Sequence, residues 1–313
     1  MTESPRVAFV FPGQGSQFVG MGKDVYAASS EARGVFDLAD AALGFSLTKL
    51  CFEGPEEELR LTVNVQPALV TMSLALLAAM RTSALMPTPV FTAGHSLGEY
   101  SALAAAGALS TRDAVVLARE RGRLMYQASI SNPGAMAAII GLDNDAVAKL
   151  ASESGVFVAN YNCPGQVVIS GDKTAMEQAR TLAASRGAAK VVPLAVSGAF
   201  HTPLMQPAAE GLAKAVAKTP LNPPAVPVIA NASARPLVSI GEVKDELSEQ
   251  LTHPVQWQKS VEYMLSQGVD TFVEIGPGKV LAGLIKRIGK DTRTVNVGDA
   301  ATLQTFIEKG VQQ

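Results

Sequence analysis

The pentapeptide Gly94-His95-Ser96-Leu97-Gly98 fits G-x-S-x-G, a pattern in which serine occupies a sharp strand-to-helix turn with its hydroxyl exposed. At such a bend a side chain at position 94 or 98 would collide with neighbouring backbone, and hydrogen does not. A helix opening just after Ser96 aims free N–H groups and the positive end of its dipole at the same point, which suits a developing oxyanion. A serine nucleophile needs a base, and the chain offers His95, His201 and His253. His95 adjoins the serine and is expected to point away from it. His253 precedes Pro254 in a loop and reads as a solvated or packing histidine. His201 follows small residues at a strand end and precedes Thr202-Pro203. Spacing favours His201 as the base, with a packing role still open.

Other chemistries find less support. The segment PGQGSQ at 12–17 follows a strand and contains G-x-G, but position 18 is Phe where a dinucleotide fingerprint needs its third glycine. It reads instead as a turn that offers one backbone N–H to a site. Only Cys51 and Cys163 are present, far apart, and no His or Cys pair has metal-ligand spacing. No metal or cofactor is expected.

The elements that must position these residues alternate between strand and helix. An apolar run at 6–11 stops at Pro12-Gly13, helical patterns follow through Met80, and a second run at 89–94 leads into a strong helix former from Leu97 onward. Strand, turn and helix therefore meet at His95-Ser96. From 133 to 197 the texture changes to strand (135–140), helix (143–154), strands (156–160 and 166–170), helix (173–186) and strand (189–194). That βαββαβ order is ferredoxin-like. Strand signals resume at 226–230 and 271–275, and a short amphipathic helix begins near 300. The expected fold is α/β, with a large catalytic domain from 1–132 and 198–313 and a small domain of 133–197 inserted into it.

With 313 residues, 48% hydrophobic and 17% charged, the chain has ample material for a large core. Its net charge of -2 argues against nucleic acid or anionic membranes as partners. The longest apolar stretch, 67–80, is broken by Thr71 and Ser73 and is shorter than the ~20 residues a bilayer requires. The first residues lack the charged and apolar regions of a signal peptide, so a cytoplasmic location is expected.

Several separate motifs occur in a fixed order: FVFPGQGSQ (9–17), GHSLGEYS (94–101), Arg121-Gly122, NCPGQVVI (162–169), GAFH (198–201), NAS (231–233), PVQW (254–257) and EIGPG (274–278). Together they resemble the malonyl-CoA:acyl-carrier-protein transacylases of fatty-acid synthesis and the acyltransferase domains of polyketide synthases, over about residues 6–290. The resemblance implies an α/β-hydrolase-like large domain, a ferredoxin-like small one and a gorge between them. It implies malonyl-CoA and the phosphopantetheine arm of acyl carrier protein as partners, and no cofactor.

Carried over by motif, Ser96 is the nucleophile and His201 its base. The N–H groups of Gln14 and Leu97 form the oxyanion hole, and the Gln250 carbonyl orients the imidazole in place of a third acidic member. Arg121 grips the free carboxylate of the acyl group, which residue type alone would not have distinguished from a solvated helix arginine. Met125, Phe200 and Asn162 line the substrate site. Phe200 before the histidine and an apolar Leu97 after the serine accompany malonyl selection in related domains; some stand-alone bacterial transacylases have Ser where this chain has Phe200. The same elbow serves serine hydrolases and thioesterases, a binding module could retain the fold, and subunits of polyketide or malonate-decarboxylase systems share the motifs. Lys286, Arg287, Lys290 and Arg293 form a local positive cluster suited to an acidic carrier protein.

Overall fold

The structure, a computed structural model, describes residues 5–196 and 198–312. Its strands are β1 (Val7–Phe11), β2 (Phe91–Gly94), β3 (Gly134–Ile140), β4 (Phe157–Cys163), β5 (Gln166–Asp172), β6 (Lys190–Pro193), β7 (Val228–Ile229), β8 (Pro236–Leu237), β9 (Thr271–Ile275) and β10 (Arg293–Val297). Strand β1 is apolar and buried at all five positions, as a strand covered by helices on both faces must be. It lies inside a six-stranded sheet of order β10-β9-β1-β2-β7-β8. Every pairing there is parallel except β7 with β8. Strands β1, β2 and β9 end side by side, and the loops leaving their carboxyl ends form the crevice where open α/β sheets bind ligands.

Helix Thr62–Met80 is buried around nearly its whole circumference. It is long and apolar enough to cross a membrane, yet 83% of its most apolar window is inside the protein. Pro67 sits within it and has no N–H for the Val63 carbonyl one turn back. Arg119 supplies the missing donor, its Nη1 reaching Val63 O at 2.8 Å. That contact comes from helix Thr111–Ser131, which packs closely enough that a Cβ on Gly122 would lie 2.5 Å from Thr62 O and 2.8 Å from Val63 Cα. The adjacent Arg121 is thereby held in the interior, 1% exposed.

The second sheet is antiparallel, with order β4-β5-β3-β6, and carries helices Asn144–Ser154 and Lys173–Ser185. Asp143 and Asp172 cap these helices with side-chain acceptors. Strands β4 and β5 run further than the 156–160 and 166–170 read from pattern, down to a tight turn where Gly165 takes φ +73°. Chain entry and exit meet in a bridge between Pro133 and Gly198. The sheet docks on the rest through Val255, whose N–H donates to Ala159 O (2.8 Å) and whose carbonyl accepts from Tyr161 N (2.9 Å). Two strands escaped the pattern reading. β8 has only two residues, and β10 is an edge strand beginning with a charged residue.

Candidate active site

Strand β2 runs into helix Gly98–Ala105 through a turn that only glycine permits on either side. A Cβ on Gly94 would lie 2.0 Å from Gly98 C, and one on Gly98 would lie 2.1 Å from Phe11 O. Between them Ser96 adopts φ +50°, a left-handed conformation unusual for a residue with a Cβ and held here by its surroundings. Its N–H donates to Asn231 Oδ1 at 2.7 Å, so the amide of Ser96 itself is occupied. The N–H groups of Leu97 and Gln14 meet no acceptor among the described residues.

His201 is a second left-handed residue, at φ +59°. Its Nε2 lies 2.8 Å from Ser96 Oγ and its Nδ1 lies 2.9 Å from the Gln250 carbonyl. A carbonyl only accepts, so Nδ1 carries the proton and Nε2 presents a lone pair to the serine. Gln250 ends helix Ile240–Glu249, whose free carbonyls carry partial negative charge. That charge stands where a carboxylate would complete a triad. Burial, and next the neighbouring Arg121 cation, push the His201 imidazole down to about 3, so it is neutral at neutral pH.

Arg121 approaches the same oxygen, with Nη2 donating to Ser96 Oγ at 3.1 Å and to Gln250 Oε1 at 2.8 Å. Its Nη1 donates to Gln66 Oε1 at 2.8 Å, and its Nε is buried without a partner. Its guanidinium stands 5.8 Å from the centre of the Tyr100 ring. Among the described residues Arg121 has no carboxylate ion pair. A buried cation beside a serine–histidine pair, fixed by neutral acceptors, is arranged to receive an anion.

These groups face a cavity of about 270 Å³. Gln14, Ser96, Leu97, Arg121, Met125, Asn162, Phe200 and His201 all line it, and Gln250 stands behind His201. His95 is turned from Ser96 Oγ but is not idle. Its Nε2 pairs with Asn162 Oδ1 of β4 at 2.8 Å, and its ring lies 5.7 Å from that of Trp257. His253 is exposed and bonds Glu249 O through Nδ1. In the positive cluster Arg287 is committed elsewhere, donating to Gln166 Oε1 (2.8 Å) and Pro164 O (2.9 Å) on the β4–β5 hairpin.

Residue reasoning passed over Gln66, Glu99 and Asn231. Gln66 precedes a proline inside an apolar helix and is fully buried, which is the one hint that it serves a polar site. Asn231 and Glu99 lie within recognised motifs, yet their mutual bonds span 132 positions.

A parallel α/β sheet whose turn serine is paired with histidine and faced by a buried arginine defines an acyl-transfer enzyme with a taste for anionic acyl groups. The chain belongs to the acyl transferase domain family, which it matches over residues 8–309. It is 48% identical over 308 residues to the malonyl CoA-acyl carrier protein transacylase of Bacillus subtilis strain 168, covering 97% of this chain and 96% of that one. Against the enzyme of the same name from Escherichia coli K12 it is 48% identical over 293 residues, covering 92% and 94%. Among solved structures, a malonyl-transacylase in complex with a type II polyketide-synthase acyl carrier protein superposes with TM-score 0.94 at 41% identity, covering 97% of this chain and 99% of that one. The acyl-carrier-protein S-malonyltransferase of Bartonella henselae gives 0.93 at 42%, covering 96% and 98%.

Proposed function

We infer that the chain transfers the malonyl group of malonyl-CoA to the phosphopantetheine thiol of acyl carrier protein, supplying fatty-acid synthesis, through an ester on Ser96. The observation that carries this reading is Arg121, a buried guanidinium with no carboxylate ion pair among the described residues, 3.1 Å from Ser96 Oγ. It suits an acyl group with a free carboxylate.

His201 Nε2 takes the Ser96 proton as Oγ attacks the thioester carbonyl. The Gln14 and Leu97 amides receive the oxyanion. As the C–S bond breaks, CoA leaves as a thiol with the proton from His201. An imidazole this reluctant to be protonated returns its proton readily. The malonyl carboxylate, by neutralising Arg121, also removes one of the causes that depress His201, so the base strengthens when the proper acyl group is seated. The carrier's thiol then attacks the ester, giving its proton to Nε2, which returns it to Ser96 Oγ. Malonyl on the carrier and free enzyme result.

Residues 1–132 and 198–313 read as an α/β-hydrolase-like catalytic domain, and 133–197 as a ferredoxin-like insertion. The β4-β5-β3-β6 order supports the second assignment. The burial of helix Thr62–Met80 supports its role as a core helix and not a membrane span. Phe200 and Leu97, both buried beside the nucleophile, support malonyl over bulkier branched acyl groups.

Intact-protein mass spectrometry after exposure to malonyl-CoA is expected to show one malonyl adduct, mapped to Ser96, that is discharged by carrier protein and absent in Ser96→Ala. Labelling that survives in Ser96→Ala rejects the assignment. Rapid loss of the adduct to water without any thiol identifies a hydrolase instead.

A further inference from the structure

Behind the nucleophile turn lies a carboxyl group that the mechanism above does not use. Glu99 is fully buried. Its Oε1 accepts from Asn231 N (2.8 Å) and Asn231 Nδ2 (2.7 Å), and its Oε2 accepts from Gln250 Nε2. Each of those partners holds a working part. Asn231 fixes the turn through Ser96 N (2.7 Å) and Gly94 O (2.8 Å). Gln250 reaches Ser96 O through Nε2 (3.0 Å) and Arg121 Nη2 through Oε1 (2.8 Å), while its main-chain carbonyl tethers His201 (2.9 Å).

We propose that Glu99 is a positioning residue for acyl transfer, one that holds the Gln250 carboxamide against Arg121 and the Asn231 carboxamide against the Ser96 amide. This rests on the acyl-transfer reading above. The Gln250 carboxamide lies between guanidinium and carboxyl with its oxygen toward the cation and its nitrogen toward the Glu99 carboxyl. It thus joins two groups that do not bond each other. Glu246, on helix Ile240–Glu249, accepts from Ala232 N at 2.9 Å and stands within hydrogen-bond reach of Glu99. Burial first, and then the charge of Glu246, raise Glu99 well above the ordinary carboxylate range; burial raises Glu246 as well, against a hydrogen bond from Glu99 that lowers it. Two buried carboxyls in contact keep one proton between them. Three donors converge on Glu99, and its Oε2 faces Gln250 Nε2 as an acceptor whichever carboxyl holds that proton.

The chemistry of the carboxamide makes this testable. Glu99→Gln replaces an acceptor oxygen by an NH₂ group facing the Gln250 NH₂. Flipping Gln250 relieves that clash only by turning its NH₂ toward Arg121, which is also a donor. One donor–donor contact remains in either orientation, so the Gln250 segment and the His201 tether shift. Displacements of this order in catalytic geometry cost about 100-fold. Glu246→Gln behaves differently, because it leaves all three donors on Glu99 in place and its amide oxygen accepts from Ala232 N as before.

The experiment is single-turnover acylation of Ser96 over a range of malonyl-CoA concentrations, with thermal melting of each variant. For Glu99→Gln the maximal acylation rate is expected to fall about 100-fold. Its half-saturating malonyl-CoA concentration is expected to stay level, since Arg121 itself is unchanged. Glu246→Gln is expected to keep at least about a third of the wild-type rate. An unchanged rate in Glu99→Gln overturns the proposal, as does a weakened half-saturation with the rate preserved. Equal losses in both variants reduce Glu99 to a core residue and overturn it too. Where Glu99→Gln does not fold, Glu99→Asp withdraws the carboxylate by one methylene and is expected to show the same split; a wild-type rate there rejects the idea. A wild-type enzyme that malonyl-CoA never acylates defeats the acyl-transfer reading itself, whereas acylated wild type with indifferent variants defeats only this inference.

Discussion

Replacing Arg121 by alanine removes a guanidinium that is 1% exposed and that touches Gln66 Oε1, Gln250 Oε1 and Ser96 Oγ, all neutral acceptors. The malonyl carboxylate enters this interior only if that cation receives it, and deleting one partner of a buried charge pair costs about 3–5 kcal/mol. At about 1.4 kcal/mol per tenfold, malonyl transfer falls by about 10²- to 10⁴-fold. Acetyl-CoA brings no carboxylate, so in the native site it must share the pocket with an unanswered cation. The alanine variant removes that mismatch and leaves two carboxamide oxygens short of a donor, a loss of about 1–3 kcal/mol before water enters the vacated space. Acetyl transfer therefore holds steady or rises. Arg121→Lys follows the alanine variant, because a point charge on a flexible stem cannot reproduce the planar fork that bonds Gln66 and Gln250 at once. The assay is kcat/KM for Ser96 acylation by both thioesters, read by intact mass. A parallel decline of malonyl and acetyl transfer in both variants makes Arg121 a structural residue and refutes the reasoning.

The pH dependence follows from His201, which burial and Arg121 hold at about 3 in the folded protein. A base must be unprotonated, so the acidic limb of kcat/KM lies well below 6.5, and Arg121→Ala moves it to higher pH by removing a neighbouring cation; a native limb at or above 6.5 contradicts this. Gly122→Ala forces a methyl to within 2.5 Å of Thr62 O, so thermal melting is expected to show a loss of about 1–3 kcal/mol. The malonyl-to-acetyl ratio falls with it, because Arg121 rides on the displaced helix; a stable Gly122→Ala with native selectivity excludes the link.

Much of this site was legible because some roles impose residue types and others do not. The turn at Ser96 needs hydrogen at 94 and 98, so spacing alone exposed it. Helix Asn144–Ser154 matches the helix expected over 143–154, and it runs from an Asp143 cap to Gly155 at φ +69°. Arg121 carried no such mark. It shares a helix with Arg112, Arg119 and Arg123, and only Gly122, which draws that face inward, separates it from them. Gln250 acts on His201 through a main-chain carbonyl, which any residue possesses, so composition could not reveal it and resemblance did. The expectation that His95 turns from Ser96 describes its direction but not its contact with Asn162, for that bond crosses 67 positions between two sheets. The short β8 and the edge strand β10 fell below the length and apolarity that pattern reading requires.

The bridge between Pro133 and Gly198 brings the two ends of the inserted segment together. The groups that bond the Ser96 hydroxyl, His201 and Arg121, and those that hold them, Gln66 and Gln250, lie outside that segment. Met136, Ala138, Asn160, Asn162, Gln166 and Val168, which wall the opposite side of the cavity, lie within it. The reacting atoms and the Arg121, Leu97 and Phe200 side chains proposed to choose the acyl group are therefore written together, and the far wall is written on a separate stretch of the gene. Recombination at two neighbouring joints can exchange that wall while leaving both the reaction and the acyl grip where they are.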